Sequence, residues 1–296
     1  MFGRTAGATL LLASCAAPSA PPAASAPPMA NWAEACEDWA EWDKPGPPFQ
    51  VHGNTYYVGT CGISAILVTG DEGHVLIDGG TEAGADLIAR NIEALGFDLA
   101  DVEILLMSHE HHDHVGGTAR LQQLTGARLL ASPEAAPVMR TGRSAEDDPQ
   151  YGLGEPFPAA RVDEEIASGK PLRFGNLTLV PIATPGHTKG ALSWQWNACT
   201  RADDCRTVVY ADSLSPISND SFRFTDHPDY VADYRHGLFL LSSLACDILL
   251  TPHPSASGMR VKIVAGELRQ PGACPAYADG IRARLDERLA KERDGG

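Results

Sequence analysis

Residues 109–114 read HEHHDH, which puts four histidines and an aspartate into six positions. The spacing matters more than the count. On an extended chain, residues two apart point the same way, so His109 and His111 can reach one ion together while Glu110 and His112 point away. Asp113 and His114 follow as the chain turns and face a second position. Each ion then lacks a third ligand, since catalytic zinc usually takes three protein ligands and keeps a place for water. Two further histidines stand at the ends of apolar runs, His187 in VPIATPGH and His253 in DILLTPH. His52, His74, His227 and His236 have no such setting and read as ordinary surface or core histidines. Three ligands per ion leave open positions suited to hydrolysis, whereas a storage protein would close its shell.

These side chains need rigid elements to carry them. VEILLMS, directly before the cluster, is an apolar run of buried-strand length, and GGTARLQQL after it reads as a helix opened by two glycines. Upstream, QVHGNTYYVGT, SAILVTG and HVLIDGG read as strands, each closed by glycine or its neighbour. EAGADLIARNIEALG has helical spacing, with Gly96 as its C-cap, and NWAEACEDWAEW is an aromatic, helix-like segment. In the second half LTLVPIATPGH, ALSWQW, TVVYADS and CDILLTPH read as strands, PDYVADYRHGLFLLSSLA and AYADGIRARLDERLAKE as helices. Strands in two batches, each with helices, predict an α/β (α+β) fold of two stacked sheets with helices outside.

The chain has 296 residues, enough for a sizeable core, and a net charge of −15 from 23 basic and 38 acidic residues. Such a surface repels phosphate backbones, so nucleic acid is a poor partner. No run of apolar residues is long enough to span a bilayer. MFGRTAGATLLLASC places Arg4 before a short apolar run, the layout of a secretory signal. Leu12 to Cys15 resembles a lipobox, which makes 1–14 a removed signal and Cys15 a lipid anchor; the alternative is cleavage near Ala24. Either route predicts an exported, periplasmic protein, tethered to the outer membrane where Cys15 carries lipid. Residues 15–30, rich in Ala, Pro and Ser, read as a tether, and 31–296 as one domain. Six cysteines remain, an even count that suggests disulfides in an exported chain. Cys199 and Cys205 flank the turn TRADD and form the natural local pair, and the absence of any C-x-x-C argues against a cysteine zinc site.

VLIDGG, SHEHHDHVGG, TPGHTKG and LLTPH, in that order, resemble the metallo-β-lactamase superfamily over nearly everything after the tether. The resemblance implies a four-layer αββα sandwich of two mixed sheets with the metal site at the sheet edge. It implies two zinc ions per chain, one on His109, His111 and His187 and one on Asp113, His114 and His253, with Asp113 also orienting the nucleophile. Asp78 in LIDGG would hold the ligand loop by hydrogen bonds, or serve only as a strand-end turn residue. Within the family the chain is most similar to class B, subclass 3. No cysteine follows VVYAD, and Ser213 and Ser215 in YADSLSP look like the serines that grip a substrate carboxylate. Cys246 and Cys274 resemble that subclass's late disulfide, which leaves Cys36 and Cys61 as the last pair.

The implied activity is zinc-dependent hydrolysis of the amide bond of small-molecule β-lactams (penicillins, cephalosporins, carbapenems), with no obligate protein partner. Serine β-lactamase chemistry is excluded, because S-x-x-K, S-D-N and K-T-G are all missing. The rival is a glyoxalase II-like thioester hydrolase or lactonase, since Asp212 in ADSL resembles that group's bridging aspartate. Alternation makes the choice exclusive: if Ser213 faces the site, Asp212 points the other way. Trp32 and Trp39 either wall the groove or pack in the core, and DDPQYGLGEPFPAARVDEE is the loop expected to shape substrate preference.

Overall fold

The computed structural model describes residues 26–295. The signal segment 1–14, Cys15 and most of the tether lie outside the described residues. Among the described residues, twelve strands form two sheets. The first runs in sequence order: β1 (Phe49–His52), β2 (Thr55–Tyr57), β3 (Ile66–Thr69), β4 (His74–Ile77), β5 (Val102–Leu106), β6 (Arg128–Ala131) and β7 (Val162–Glu165). The second comprises β8 (Leu172–Phe174), β9 (Leu177–Ala183), β10 (Leu192–Arg201), β11 (Asp204–Tyr210) and β12 (Ile248–Leu250), in the spatial order β12-β11-β10-β9-β8. The helices are α1 (Met29–Ala35), α2 (Gly84–Ala94), α3 (His112–Val115), α4 (Thr118–Thr125), α5 (Ala136–Thr141), α6 (Pro228–Ser242), α7 (Met259–Ala265) and α8 (Ala273–Arg293).

Strands buried on both faces send alternate residues to different partners, and this builds the four layers. In β4, Val75 and Ile77 turn inward with Ile66, Val68 and Ile104, where they meet Leu179, Trp194, Trp196 and Val208 of the second sheet. Leu76 turns outward with Leu67 and Leu105 onto Ile88 and Ile92 of α2, Leu121 of α4 and Met139 of α5. On the far side, Val209 and Leu249 pack on Tyr234 and Leu238 of α6 and on Ile281 and Leu285 of α8. The αββα sandwich of two mixed sheets is therefore present.

β1 to β4 pair antiparallel, while β4, β5, β6 and β7 pair parallel and need crossovers, supplied by α2, by α3 with α4, and by α5. Parallel pairing brings the ends of neighbouring strands together. Ile77 stands opposite Leu106 in the first sheet, and Tyr210 opposite Leu250 in the second. β9 ends where β10 begins, Ala183 opposite Leu192. Backbone bonds from Leu192 N–H to Ser108 O (2.7 Å) and from Ser64 N–H to Pro252 O (2.8 Å) join the sheets at this edge. The residues that follow β4, β5, β9, β11 and β12 thus converge on one place.

The N-terminal segment departs from expectation. The helix begins at Met29, inside the stretch read as tether, and stops at Ala35 instead of running on to Trp42. Burial explains the start: Trp32 is 1% exposed and packs on Phe49 and Tyr57 in the inter-sheet core. The stop follows from Cys36, which is extended and bonded to Cys61, and from Trp39, whose φ of 55° no helix accepts. Cys36–Cys61, Cys199–Cys205 and Cys246–Cys274 are all bonded. Among the described residues, no helix is long and apolar enough to cross a membrane.

Candidate metal centre

His109 follows the end of β5 past a bend at Ser108, and the chain is extended at His111 (φ −82°, ψ 149°) before it turns into α3. That single change of conformation separates the ligands. One atom each of His109, His111 and His187 lies within 4.8 Å of the others, and the same holds for His109, Asp113 and His114. His253, just after β12, brings Nε2 to 3.4 Å from Asp113 Oδ2 and 3.3 Å from His114 Nε2. All six ligands read from the sequence therefore converge, in two groups that adjoin at His109.

Each imidazole of the first group is held from behind. His109 Nδ1 lies 2.8 Å from Asp212 Oδ1 and 3.2 Å from Ser108 Oγ, while its Nε2 is buried without a hydrogen-bond partner. His111 presents Nε2 to Asp148 Oδ2 at 3.1 Å, leaving Nδ1 for the centre. His187 Nδ1 stands 3.0 Å from both the carbonyl and the hydroxyl of Ser215, leaving Nε2 for the centre, and the Gln150 amide lies on that open side, 3.2 Å from Nε2. A partner on one ring nitrogen fixes the tautomer and aims the other, as in histidine sites that ligate metals. The orphaned His109 Nε2 and the donor set, five imidazoles and one carboxylate, fit zinc chemistry.

Asp78 lies directly after β4 with φ of 67°, and its carboxylate accepts from Ser108 N–H (2.6 Å), Ser108 Oγ (2.8 Å) and Tyr210 Oη (2.7 Å). It clamps the start of the ligand loop to both sheets, and burial pushes its carboxyl up to about 6. Glu110 faces away from the donors and accepts from Thr188 Oγ1 (2.7 Å) and Gly190 N–H (3.0 Å), tying the first ligand loop to the one that carries His187. Burial pushes the Glu110 carboxyl up to about 7. Burial also drives His109 and His187 well below the ordinary histidine range, reinforced by neighbouring imidazoles. They stay neutral, the state a metal requires. For Asp113 burial opposes ionisation, but His114 and then His253 outweigh it and hold the carboxyl well below its usual range.

Four of the six donors, His111, Asp113, His187 and His253, line a cavity of about 310 Å³, with His109 and His114 buried behind them. Trp39, 71% exposed, and Trp42 form one wall; Leu153 and Ile217 also line it, and Ser213, Ser215 and Arg284 contribute polar groups. The two tryptophans thus divide the alternatives: Trp32 packs in the core and Trp39 borders the cavity. His112 turns from the metal donors as expected, yet it borders the cavity beneath the Trp42 ring (5.5 Å between centroids). Ser213 Oγ is buried and has no hydrogen-bond partner among the described residues, whereas Ser215 Oγ is engaged with His187. Asp212 is wholly buried behind His109 and does not line the cavity. A larger depression of about 680 Å³, bordered by Glu146, Asp147 and Asp226, adjoins at Asp148 but holds none of the six ligands.

Asp148 and Gln150 were not singled out from the sequence. Both lie in the DDPQYGLG loop, which follows no strand and carries no motif. The one available signal was indirect: a histidine ligating through Nδ1 needs an acceptor at Nε2.

The family model for the metallo-beta-lactamase superfamily matches residues 58–253. The solved MIM-2 metallo-beta-lactamase is 58% identical with a TM-score of 0.87, over 91% of this chain and 100% of that one. MEM-A1, a subclass B3 metallo-beta-lactamase from a soil metagenome library, is 38% identical with a TM-score of 0.81, over 86% and 100%. A hydroxyacylglutathione hydrolase of Bradyrhizobium sp. (strain BTAi1 / ATCC BAA-1182) is 30% identical over 136 residues, 46% of this chain. The match spans only 41% of that curated relative's length.

Proposed function

The chain belongs to the metallo-β-lactamase superfamily, and we propose that it is a β-lactam hydrolase of the subclass B3 kind that works with two zinc ions. One observation carries the reading: six candidate ligands converge, and four of them, His111, Asp113, His187 and His253, line a cavity that Ser213 borders and Asp212 does not. The extent of the likeness to the MIM-2 enzyme, against the partial match to thioester hydrolases, supports the choice of substrate.

His109, His111 and His187 would hold the first ion, and Asp113, His114 and His253 the second. Zinc bound there would lower the pKa of water toward about 7 and polarise a carbonyl, which is the chemistry amide hydrolysis needs. The protein's own groups do the rest. Asp113, held ionised, accepts a hydrogen bond from the attacking water and aims it at the lactam carbon; as the C–O bond forms the ring C–N bond breaks, and the water's proton passes by way of the Asp113 carboxylate to the departing nitrogen. Ser213 borders the cavity with its Oγ buried and unpartnered, and a small turn of its side chain would bring the hydroxyl to the substrate carboxylate. Ser215 fixes the His187 ring, so its hydroxyl serves the ligand before the substrate. Trp39 and Trp42 cover the apolar side of the bicyclic ring and shed water from it. Export to the periplasm and a lipid at Cys15 belong to the same proposal, and rest on residues 1–30 alone.

The test is turnover of a carbapenem, a chromogenic cephalosporin and a lactoyl thioester, each with and without EDTA. β-Lactam turnover abolished by the chelator, restored by zinc and indifferent to clavulanate is expected. Turnover of the thioester in preference to both β-lactams would overturn the reading.

A further inference from the structure

We infer that Arg284 is the cation that recognises the substrate carboxylate, acting beside Ser213. This rests on the β-lactamase reading and adds a specificity residue to it. α8 is docked against the loop that carries the serines: Tyr277 Oη donates to the carbonyls of Ser213 (2.9 Å) and Asp212 (3.3 Å). Arg284 lies seven residues further along the same helix, two turns on and on the same face, about 10 Å away along the axis. Its side chain borders the cavity together with Ser213, Ser215, Ile217 and Ala256.

Its neighbours on α8 are already paired. Arg282 contacts Asp279, and Arg288 contacts Glu292. Arg284 is exposed and makes no ion pair or hydrogen bond among the described residues. Among the described residues, no other lysine or arginine borders the cavity. The side chain also borders a neighbouring cavity of about 390 Å³, so it has room to swing towards a ligand.

The chemistry of the substrate calls for such a group. A β-lactam carries a carboxylate on the ring fused to the lactam, and the chain as a whole bears a charge of −15 that repels it. A guanidinium presents two parallel N–H donors to the two carboxylate oxygens, while a serine hydroxyl presents one and no charge. Arg284 supplies the attraction and Ser213 the fixed direction. Neither touches the reacting bond, so Arg284 acts in binding and leaves the chemical step alone.

The experiment uses the zinc-loaded protein with a chromogenic cephalosporin and its methyl ester, at low and high salt. Arg284→Gln is expected to raise KM for the acid roughly three- to tenfold with kcat nearly unchanged, the size of an exposed charge-assisted contact. It should also flatten the rise of KM with salt and leave the ester unaffected, and Arg284→Lys should recover part of the loss. Arg282→Gln, the same charge change on the same helix, should behave as wild type. Turnover with KM and salt response unchanged in Arg284→Gln, or equal effects from Arg282→Gln, would overturn the assignment while leaving the activity standing. Absence of any β-lactam turnover by wild type would overturn the activity and the assignment together.

Discussion

Replacing Asp148 tests the geometry of the first metal position most directly. Its Oδ2 lies 3.1 Å from His111 Nε2, and its Oδ1 accepts from Gln150 N–H at 2.6 Å. The carboxylate is 5% exposed, so water replaces it poorly. Asp148→Ala removes the acceptor that aims His111 and frees the loop that holds Gln150 against His187. Loss of such an outer partner costs about 10- to 100-fold in metal affinity. On the free-energy scale that is about 1.4–2.7 kcal/mol. Asp148→Asn keeps an acceptor oxygen but no charge, and should cost less than about tenfold by the same comparison. The assay is zinc competition against a chromophoric chelator, resolving the two ions. The defect should fall on the ion held by His111, and activity should return as zinc is raised, because affinity and not chemistry was damaged. First-site affinity within about twofold of wild type in Asp148→Ala would refute the argument that second partners aim these ligands.

Three further outcomes follow from the same structure. Elemental analysis should find two zinc ions in the loaded protein and close to one in Asp113→Ala, since Asp113 joins His114 and His253 while the other three ligands stand without it; two ions in the variant would contradict this. Removing Cys246–Cys274, a separation of 28 residues, should lower stability in urea by about 3.6 kcal/mol, against about 2.2 kcal/mol for the six-residue Cys199–Cys205 loop, on the loop-entropy model. Equal losses, or the reverse order, would count against that model here. Finally, Cys15→Ala should release the protein from membranes during fractionation, and unchanged partitioning would favour the ordinary signal peptide.

Much of the architecture was legible because the central strands are short, continuous apolar runs ending in turn residues. HVLIDGG, VEILLMS and CDILLTPH each place their ligand or clamp within a few residues of the end of the apolar run. Gly96, read as a helix cap, has φ of 84°, a conformation costly for a residue with a Cβ. Elements that carry little burial were illegible for the converse reason. β7 reads VDEE and is mostly exposed, so it shows no apolar signal and owes its place to pairing with β6. Asp148 and Gln150 come from a loop far along the chain from the histidines they meet, Arg284 from a distant helix that borders the cavity, and nothing local in their sequence marks those places.

The neighbouring pair Asp212 and Ser213 shows how far simple alternation reaches. From the sequence, Tyr210 could pack on either face, and the orientation of the two residues beyond it stayed open. The structure removes that freedom at Tyr210, whose ring lies in the layer between the sheets and whose hydroxyl donates to Asp78. Ala211 then faces the outer helices. Two residues beyond Tyr210, Asp212 returns to the inner side, where the back of His109 waits 2.8 Å away. Ser213 takes the other side and meets the cavity. The alternation ends at Leu214, whose φ of 50° turns the chain out of the extended region. The bond at one buried tyrosine, carried on by alternation past the strand end, thus sets the Asp212 carboxylate behind His109 and Ser213 at the cavity.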